Sequence, residues 1–168
     1  VQVSAVCDKY DRIEPGAPTF RERLEIIRVL SKSVTRVNVR VQPYIPDVRD
    51  DVLNVLPLFS SSGVHGVILE GMKGITKQAG MIKLGGDMVY PVSTLVNHFT
   101  AIKKEAHRLG MKFYCGENRL RSMSDELTCC GIEGLAGFKG NDYNICSIMN
   151  GSNAKPTRAM MEPNTALC

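Results

Sequence analysis

Val1-Gln2-Val3-Ser4-Ala5-Val6, Val37-Asn38-Val39-Arg40-Val41-Gln42 and Gly66-Val67-Ile68-Leu69-Glu70 share one form: a short β-branched run that leads into a polar loop and then an amphipathic helix. Repeated strand, loop and helix predict an α/β chain with a parallel sheet, because a parallel neighbour is reached only by a long crossover and a helix supplies it. Such sheets carry their ligands at the C-terminal ends of the strands. Glu70, at one of those ends, is therefore a candidate site residue.

The connections support the same fold. Pro15 and Pro18 stop the first strand from continuing, and Thr19 can cap the helix beyond them. In Phe20-Arg21-Glu22-Arg23-Leu24-Glu25-Ile26-Ile27-Arg28-Val29-Leu30 the residues at 20, 24, 27 and 30 fall on one helical face, and Glu22 stands where a capping box with Thr19 needs it. A second helix is predicted over 48–62, ending near Gly63. The third strand opens into a long loop, from Gly71-Met72-Lys73-Gly74 to Gly85-Gly86-Asp87, of a length that is usually functional or mobile. Met72, Met81 and Met88 are expected to pack it down. A long helix over 92–108, stopped by Gly110, leads to a fourth strand, Met111-Lys112-Phe113-Tyr114-Cys115.

After Gly116 the period breaks. Ser124-Asp125-Glu126-Leu127 is expected to open a helix, which the glycines at 131, 134, 137 and 140 would keep short. The Asn-, Ser-, Pro- and Thr-rich residues 151–168 read as a loosely ordered tail behind a single α/β domain over 1–150. Four parallel strands with covering helices make either an open sheet or an arc of a barrel; right-handed crossovers with no reversal of order make the arc the simpler topology, a partial (β/α) barrel with outer helices and an irregular Cys-containing C-terminal segment.

A chain of 168 residues is long enough to bury roughly 70% of its unfolded surface. The net charge of +4 is spread over the helices, which gives no basic stripe for nucleic acid. No stretch approaches the roughly 18 to 20 apolar residues of a membrane span, and no signal peptide is visible, so a cytoplasmic protein with no membrane partner is expected. The start at Val1, already inside a strand-like run, suggests a chain cut from something longer.

Glu14-Pro15-Gly16-Ala17-Pro18, then a helix carrying Arg23-Leu24, then a strand ending in Arg40-Val41-Gln42-Pro43, resembles the C-terminal half of radical S-adenosylmethionine enzymes of the spore photoproduct lyase-like branch. The likeness covers about residues 1–70. It implies a half-barrel that supplies part of a cofactor and substrate pocket, with the missing N-terminal half of the same barrel as partner. It also implies S-adenosylmethionine and a [4Fe–4S] cluster as cofactors of the complete protein. The family's cluster loop, Cys-x₃-Cys-x₂-Cys, has no counterpart here, so the resemblance places the cluster ligands upstream of Val1.

By position, the resemblance implies that Ser4 meets the cofactor's ribose or amino-acid part. It implies that Arg40 or Gln42 meets the methionyl carboxylate or a substrate anion, a task suited to a guanidinium. Strand alternation puts Arg40 and Gln42 on one face, and Gln2 and Ser4 on one face. The structural alternatives are a small packing residue at Ser4, and an ion pair between Arg40 and Glu14 or Glu70. The branch includes nucleic-acid repair, but no basic groove supports a nucleic-acid partner here.

Cys115, Cys129, Cys130 and Cys146 form a second constellation, whose thiolates could hold an auxiliary iron–sulfur cluster or zinc. Their spacing lacks a Cys-x₂-Cys pair, and burial as small hydrophobes is the alternative. His65, His98 and His107 are expected at surface or satisfied core positions. Two other functions compete: a cluster-free barrel enzyme using Glu14, Glu70 and Arg40 for acid–base chemistry, and a non-catalytic module stapled by metal.

Overall fold

The computed structural model describes residues 1–126 and 128–136. The chain divides into two units, Val1–Gly131 and Ile132–Cys168. The described part of the second is a turn in which the Leu135 N–H donates to the Ile132 carbonyl at 3.3 Å. Cys146 and the tail expected over 151–168 lie outside the described residues.

The first unit contains β1 (Gln2–Ser4), α1 (Tyr10–Ile13), α2 (Phe20–Ser31), β2 (Asn38–Tyr44), α3 (Arg49–Ser61), β3 (Gly66–Gly71), β4 (Lys73–Gly74), β5 (Ile82–Leu84), β6 (Asp87–Val89), α4 (Val92–Arg108) and β7 (Lys112–Cys115). A 3-10 turn at Pro46–Val48 precedes α3, and 3-10 turns at Asn118–Met123 come after β7. The capping box forms as expected: the Thr19 hydroxyl accepts from the Glu22 N–H, and the Glu22 carboxylate accepts from the Thr19 N–H at 2.7 Å. The long helix has the expected bounds, and Gly110 lies just past it in the left-handed region at φ 77°.

β1, β2, β3 and β7 make one four-stranded sheet in that order, every neighbouring pair parallel. Gln2, Asn38, Gly66 and Lys112 stand in one row across it, and Ser4, Arg40, Ile68 and Tyr114 in another. Each crossover steps to the next strand in the same direction, so the right-handed rule places α2, α3 and α4 on one face. That face holds the core: Val39, Val41, Val67, Leu69 and Phe113 pack with Ile27, Leu56, Phe59, Leu95, Phe99 and Ile102, all buried. Phe99 stands edge-on to Tyr44 and Phe113, with ring centroids 5.3 and 6.2 Å apart.

The opposite face bears the alternate residues: Gln2, Ser4, Asn38, Arg40, Gln42 and Glu70 are polar, while Ile68 and Tyr114 on β3 and β7 are buried. Among the described residues no helix covers it. Residues 128–131 lie across its N-terminal part: the Asn38 Nδ2 donates to the Cys130 carbonyl at 2.9 Å, and an Arg36 guanidinium nitrogen donates to the Gly131 carbonyl at 2.6 Å. Gly131 has φ 62°, and a Cβ there would lie 2.3 Å from the Tyr114 ring. Glycine permits both the backbone conformation and the close approach.

Two expectations are corrected. The long loop after β3 contains a three-stranded antiparallel sheet, β4-β6-β5, in which Leu84 pairs with Asp87 around a two-residue Gly85-Gly86 turn. Met81 is buried in this segment, while Met72 and Met88 pack against the core from partly buried positions, as expected. Ser124 and Asp125 do not open a helix; Ser124 is extended, at φ −64° and ψ 145°. The Asp125 carboxylate is engaged elsewhere, accepting from the Phe113 N–H at 2.8 Å, Lys103 at 2.8 Å and His107 at 2.7 Å. Among the described residues no helix is long and apolar enough to cross a membrane.

Candidate functional site

The C-terminal end of the helix-free face gathers the four residues singled out from the sequence. Ser4 stands in register with Arg40, and its hydroxyl donates to the Gln42 carbonyl at 3.4 Å. Arg40 donates from Nε to the Gln42 side-chain oxygen at 2.8 Å, and a terminal nitrogen contacts the same oxygen. Its other terminal nitrogen donates to the Gln2 side-chain oxygen at 3.1 Å. Glu70 receives Arg40 at 3.3 Å on one carboxylate oxygen and Lys73 at 3.2 Å on the other.

The arrangement has a definite electrostatic sense. Arg40 and Lys73 carry two positive charges against the single carboxylate of Glu70, so the cluster holds one excess positive charge. The Arg40 and Glu70 side chains are 32% and 19% exposed, so the pair is wet enough to contribute little to stability, at most about 1 kcal/mol. An anion could join or replace one of these contacts without exposing a buried charge. Gly116, beside Glu70 on β7's extension, leaves the carboxylate its space: a Cβ there would sit 2.9 Å from Glu70 Oε2.

The loop after β1 is shaped by one side chain. Arg23, in the first turns of α2, donates to the Pro18 carbonyl at 2.7 Å, the Ser4 carbonyl at 3.0 Å and the Glu14 carboxylate at 2.6 Å. The Glu14-Pro15-Gly16 and Arg23-Leu24 motifs therefore serve a common task, tying the end of β1 to its loop. Gly16 turns that loop at φ 86°, and Leu24 enters the core. Glu14 belongs to this clamp; of the two ion pairs weighed for Arg40, the structure has the one with Glu70.

The cysteines divide. Cys115 lies in the helix-side core and donates to the Glu117 carbonyl at 3.6 Å; burial pushes its thiol up to about 11, as for a protonated small hydrophobe. Cys129 and Cys130 stand side by side, with sulfurs 3.3 Å apart. Among the described residues no three His, Cys, Asp or Glu side chains come together in a way that could hold a metal ion. The histidines are satisfied: His98 meets the Tyr44 hydroxyl at 2.8 Å, His65 the Tyr114 hydroxyl at 3.2 Å and His107 the Asp125 carboxylate.

Three contributors escape the sequence reading. Gln2 completes the polar ring around Arg40, and alternation with Ser4 was the available signal. Lys73 belongs to β4 and was hidden in the supposed loop; the Gly85-Gly86 pair between Leu84 and Asp87 was the hairpin signal. Glu117, 2% exposed at the end of β7, accepts from Arg119 Nε at 2.8 Å. Burial would raise its pKa, but the Arg119 hydrogen bonds and charge hold the carboxyl below its ordinary value.

Compared with family models, curated proteins and solved structures, the chain gave no significant match.

Proposed function

We propose that this chain is one wall of a partial (β/α) barrel, the C-terminal half of a radical S-adenosylmethionine enzyme similar to spore photoproduct lyase-like proteins. One observation carries the reading: a helix-free sheet face, polar along β1 and β2, whose Arg40, ringed by Gln2, Gln42 and Glu70, stands at the C-terminal strand ends with one excess positive charge. A sheet wound in one direction with helices on one side suits the wall of a barrel, whose inner face would then be the helix-free one.

The residues fit the amino-acid end of S-adenosylmethionine. Arg40 offers a planar fork for a carboxylate, Lys73 a second cation, and Ser4 and Gln42 neutral hydrogen-bonding groups. Glu70 orients both cations, and Gly116 keeps room beside it. The cluster does not fit this stretch of sequence, because no Cys-x₃-Cys-x₂-Cys occurs in it, so its ligands would come from another part of the protein. When bound, cluster and cofactor together would supply radical chemistry; this chain's part is to bind and orient. The acid–base alternative is weakened by Glu14, which Arg23 holds in the loop clamp.

The test is anaerobic reconstitution of the complete protein with iron and sulfide. A brown species that cleaves S-adenosylmethionine is expected, and colourless protein without cleavage refutes the reading. In that protein Arg40→Ala should weaken S-adenosylmethionine binding by at least about tenfold, or roughly 1.4 kcal/mol, with the fold intact. Unchanged affinity would leave Arg40 a structural partner of Glu70.

A further inference from the structure

We propose that Cys129 and Cys130 form an oxidisable vicinal dithiol, closed to a disulfide by a small peroxide, and that closure loosens residues 128–131 from the helix-free face. The inference does not depend on the reading of Arg40 and its ring as a cofactor pocket. It rests on the placement of two sulfurs 3.3 Å apart in a segment held down by Asn38 and Arg36.

Neither sulfur is in a disulfide, and the two differ in access: Cys129 is buried, Cys130 partly exposed. An oxidant reaching Cys129 must therefore be small. Their acidities differ as well. Either thiol can donate in the contact between them; with Cys130 as donor, that hydrogen bond and the Arg121 guanidinium outweigh the cost of burial and draw Cys129 toward the thiolate. The same hydrogen bond, with burial, pushes Cys130 up, so that it keeps its proton. The thiolate is the nucleophile in thiol oxidation, which assigns the first step to Cys129.

In that step the Cys129 thiolate attacks one oxygen of hydrogen peroxide. The O–O bond breaks, hydroxide leaves and takes a proton from solvent, and the sulfur becomes a sulfenic acid. The Cys130 sulfur then attacks the sulfenic sulfur; the S–O bond breaks, and the departing oxygen takes the Cys130 proton and leaves as water. Two thiols are oxidised by two electrons, and one peroxide is reduced to two waters.

The bridge so formed is strained. Cα atoms of adjacent residues are about 3.8 Å apart, short of the roughly 4.4–6.8 Å usual across a disulfide. The backbone between the two cysteines has to turn. The Cys130 carbonyl, which accepts from Asn38, and the Gly131 carbonyl, which accepts from Arg36, follow directly on that turn. A strained bridge is also readily reduced, so the change is reversible.

The complete protein, reduced and freed of reductant, is treated with a slight excess of hydrogen peroxide, then alkylated and mapped by peptide mass. The peptide carrying both cysteines should become about 2 Da lighter, resist alkylation and recover with dithiothreitol. Hydrogen exchange over 128–131 should rise by at least about tenfold in the oxidised protein. Cys130→Ser should stop at a sulfenic acid that dimedone captures, and Cys129→Ser should react at least about tenfold more slowly. Full alkylation of both thiols after peroxide, a mass loss mapped to other cysteines, or equal rates in Cys129→Ser would overturn the proposal. So would zinc or iron retained by the reduced protein through these two thiols.

Discussion

Gly131→Ala tests the placement of residues 128–131 on the sheet, and its cost can be worked from two separate effects. At φ 62° an alanine sits in the left-handed region, a penalty of about 1–2 kcal/mol. The new Cβ would meet Tyr114 Cε2 and Cζ at 2.3 Å and Asn38 Nδ2 at 2.8 Å. Tyr114 is fully buried, so its ring has nowhere to swing, and overpacking of this kind costs about 1–3 kcal/mol. The sum is roughly 2–5 kcal/mol, or a fall in Tm of about 4–20 °C for a chain of this size. Gly110→Ala is the matched control. Its φ is 77° but no atom lies within 4 Å of the added Cβ, so only the backbone penalty of about 1–2 kcal/mol applies. Urea unfolding monitored by circular dichroism reads both, at unchanged slope. Gly131→Ala no more harmful than Gly110→Ala would show that the segment does not lie against Tyr114, and would remove the basis for coupling Cys129 and Cys130 to the helix-free face.

The geometry sets three further outcomes. Gly116→Ala places a methyl 2.9 Å from Glu70 Oε2 and should push that carboxylate off Arg40 and Lys73. Its stability loss should stay below about 1.5 kcal/mol while S-adenosylmethionine affinity of the complete protein falls; calorimetry that finds full affinity would separate Glu70 from the site. Asp125 is shifted by burial, which raises its pKa, and by stronger opposing hydrogen bonds from Lys103, Phe113 and His107, which hold it below the ordinary 3.8. With the folded value below the unfolded one, its contribution is fully present above pH 3.8 and is lost as pH falls through the folded value. Asp125→Asn should therefore cost about 1–3 kcal/mol at pH 7, with the gap to the native protein closing in acid; a gap independent of pH would contradict this. Thr19→Ala removes the side-chain cap of α2 and should cost about 1 kcal/mol in urea unfolding, with no effect on peroxide oxidation of the cysteines.

The parts legible in the sequence are those decided locally. Thr19 and Glu22 announce α2 because both halves of a capping box lie within one turn, and the helix before Gly110 is marked by a 3.6-residue apolar period that α4 keeps through Leu95, Phe99, Ile102 and Ala106. The parallel sheet was legible because three of its four strands come from β-branched runs spaced by helices. What was hidden depends on distant partners. Asp125 looks like the opening of a helix until Phe113, Lys103 and His107 claim its carboxylate. Arg40 and Glu70 are readable as partners from their strand ends, but Gln2 and Lys73 meet them only through the placement of β1 and β4. The strands β4 to β6 are two or three residues long, too short for period 2 to stand out from a polar loop.

Arg23 fills three acceptors that point at it from separate directions: a strand carbonyl, a loop carbonyl and a carboxylate. Lysine would preserve the charge but not the fork, since an ammonium is a point on a flexible stem rather than a flat, branched donor. The bend of the chain beside the site is thus a matter of shape more than of sign, and a charge-conserving exchange at position 23 would be among the least conservative in the molecule.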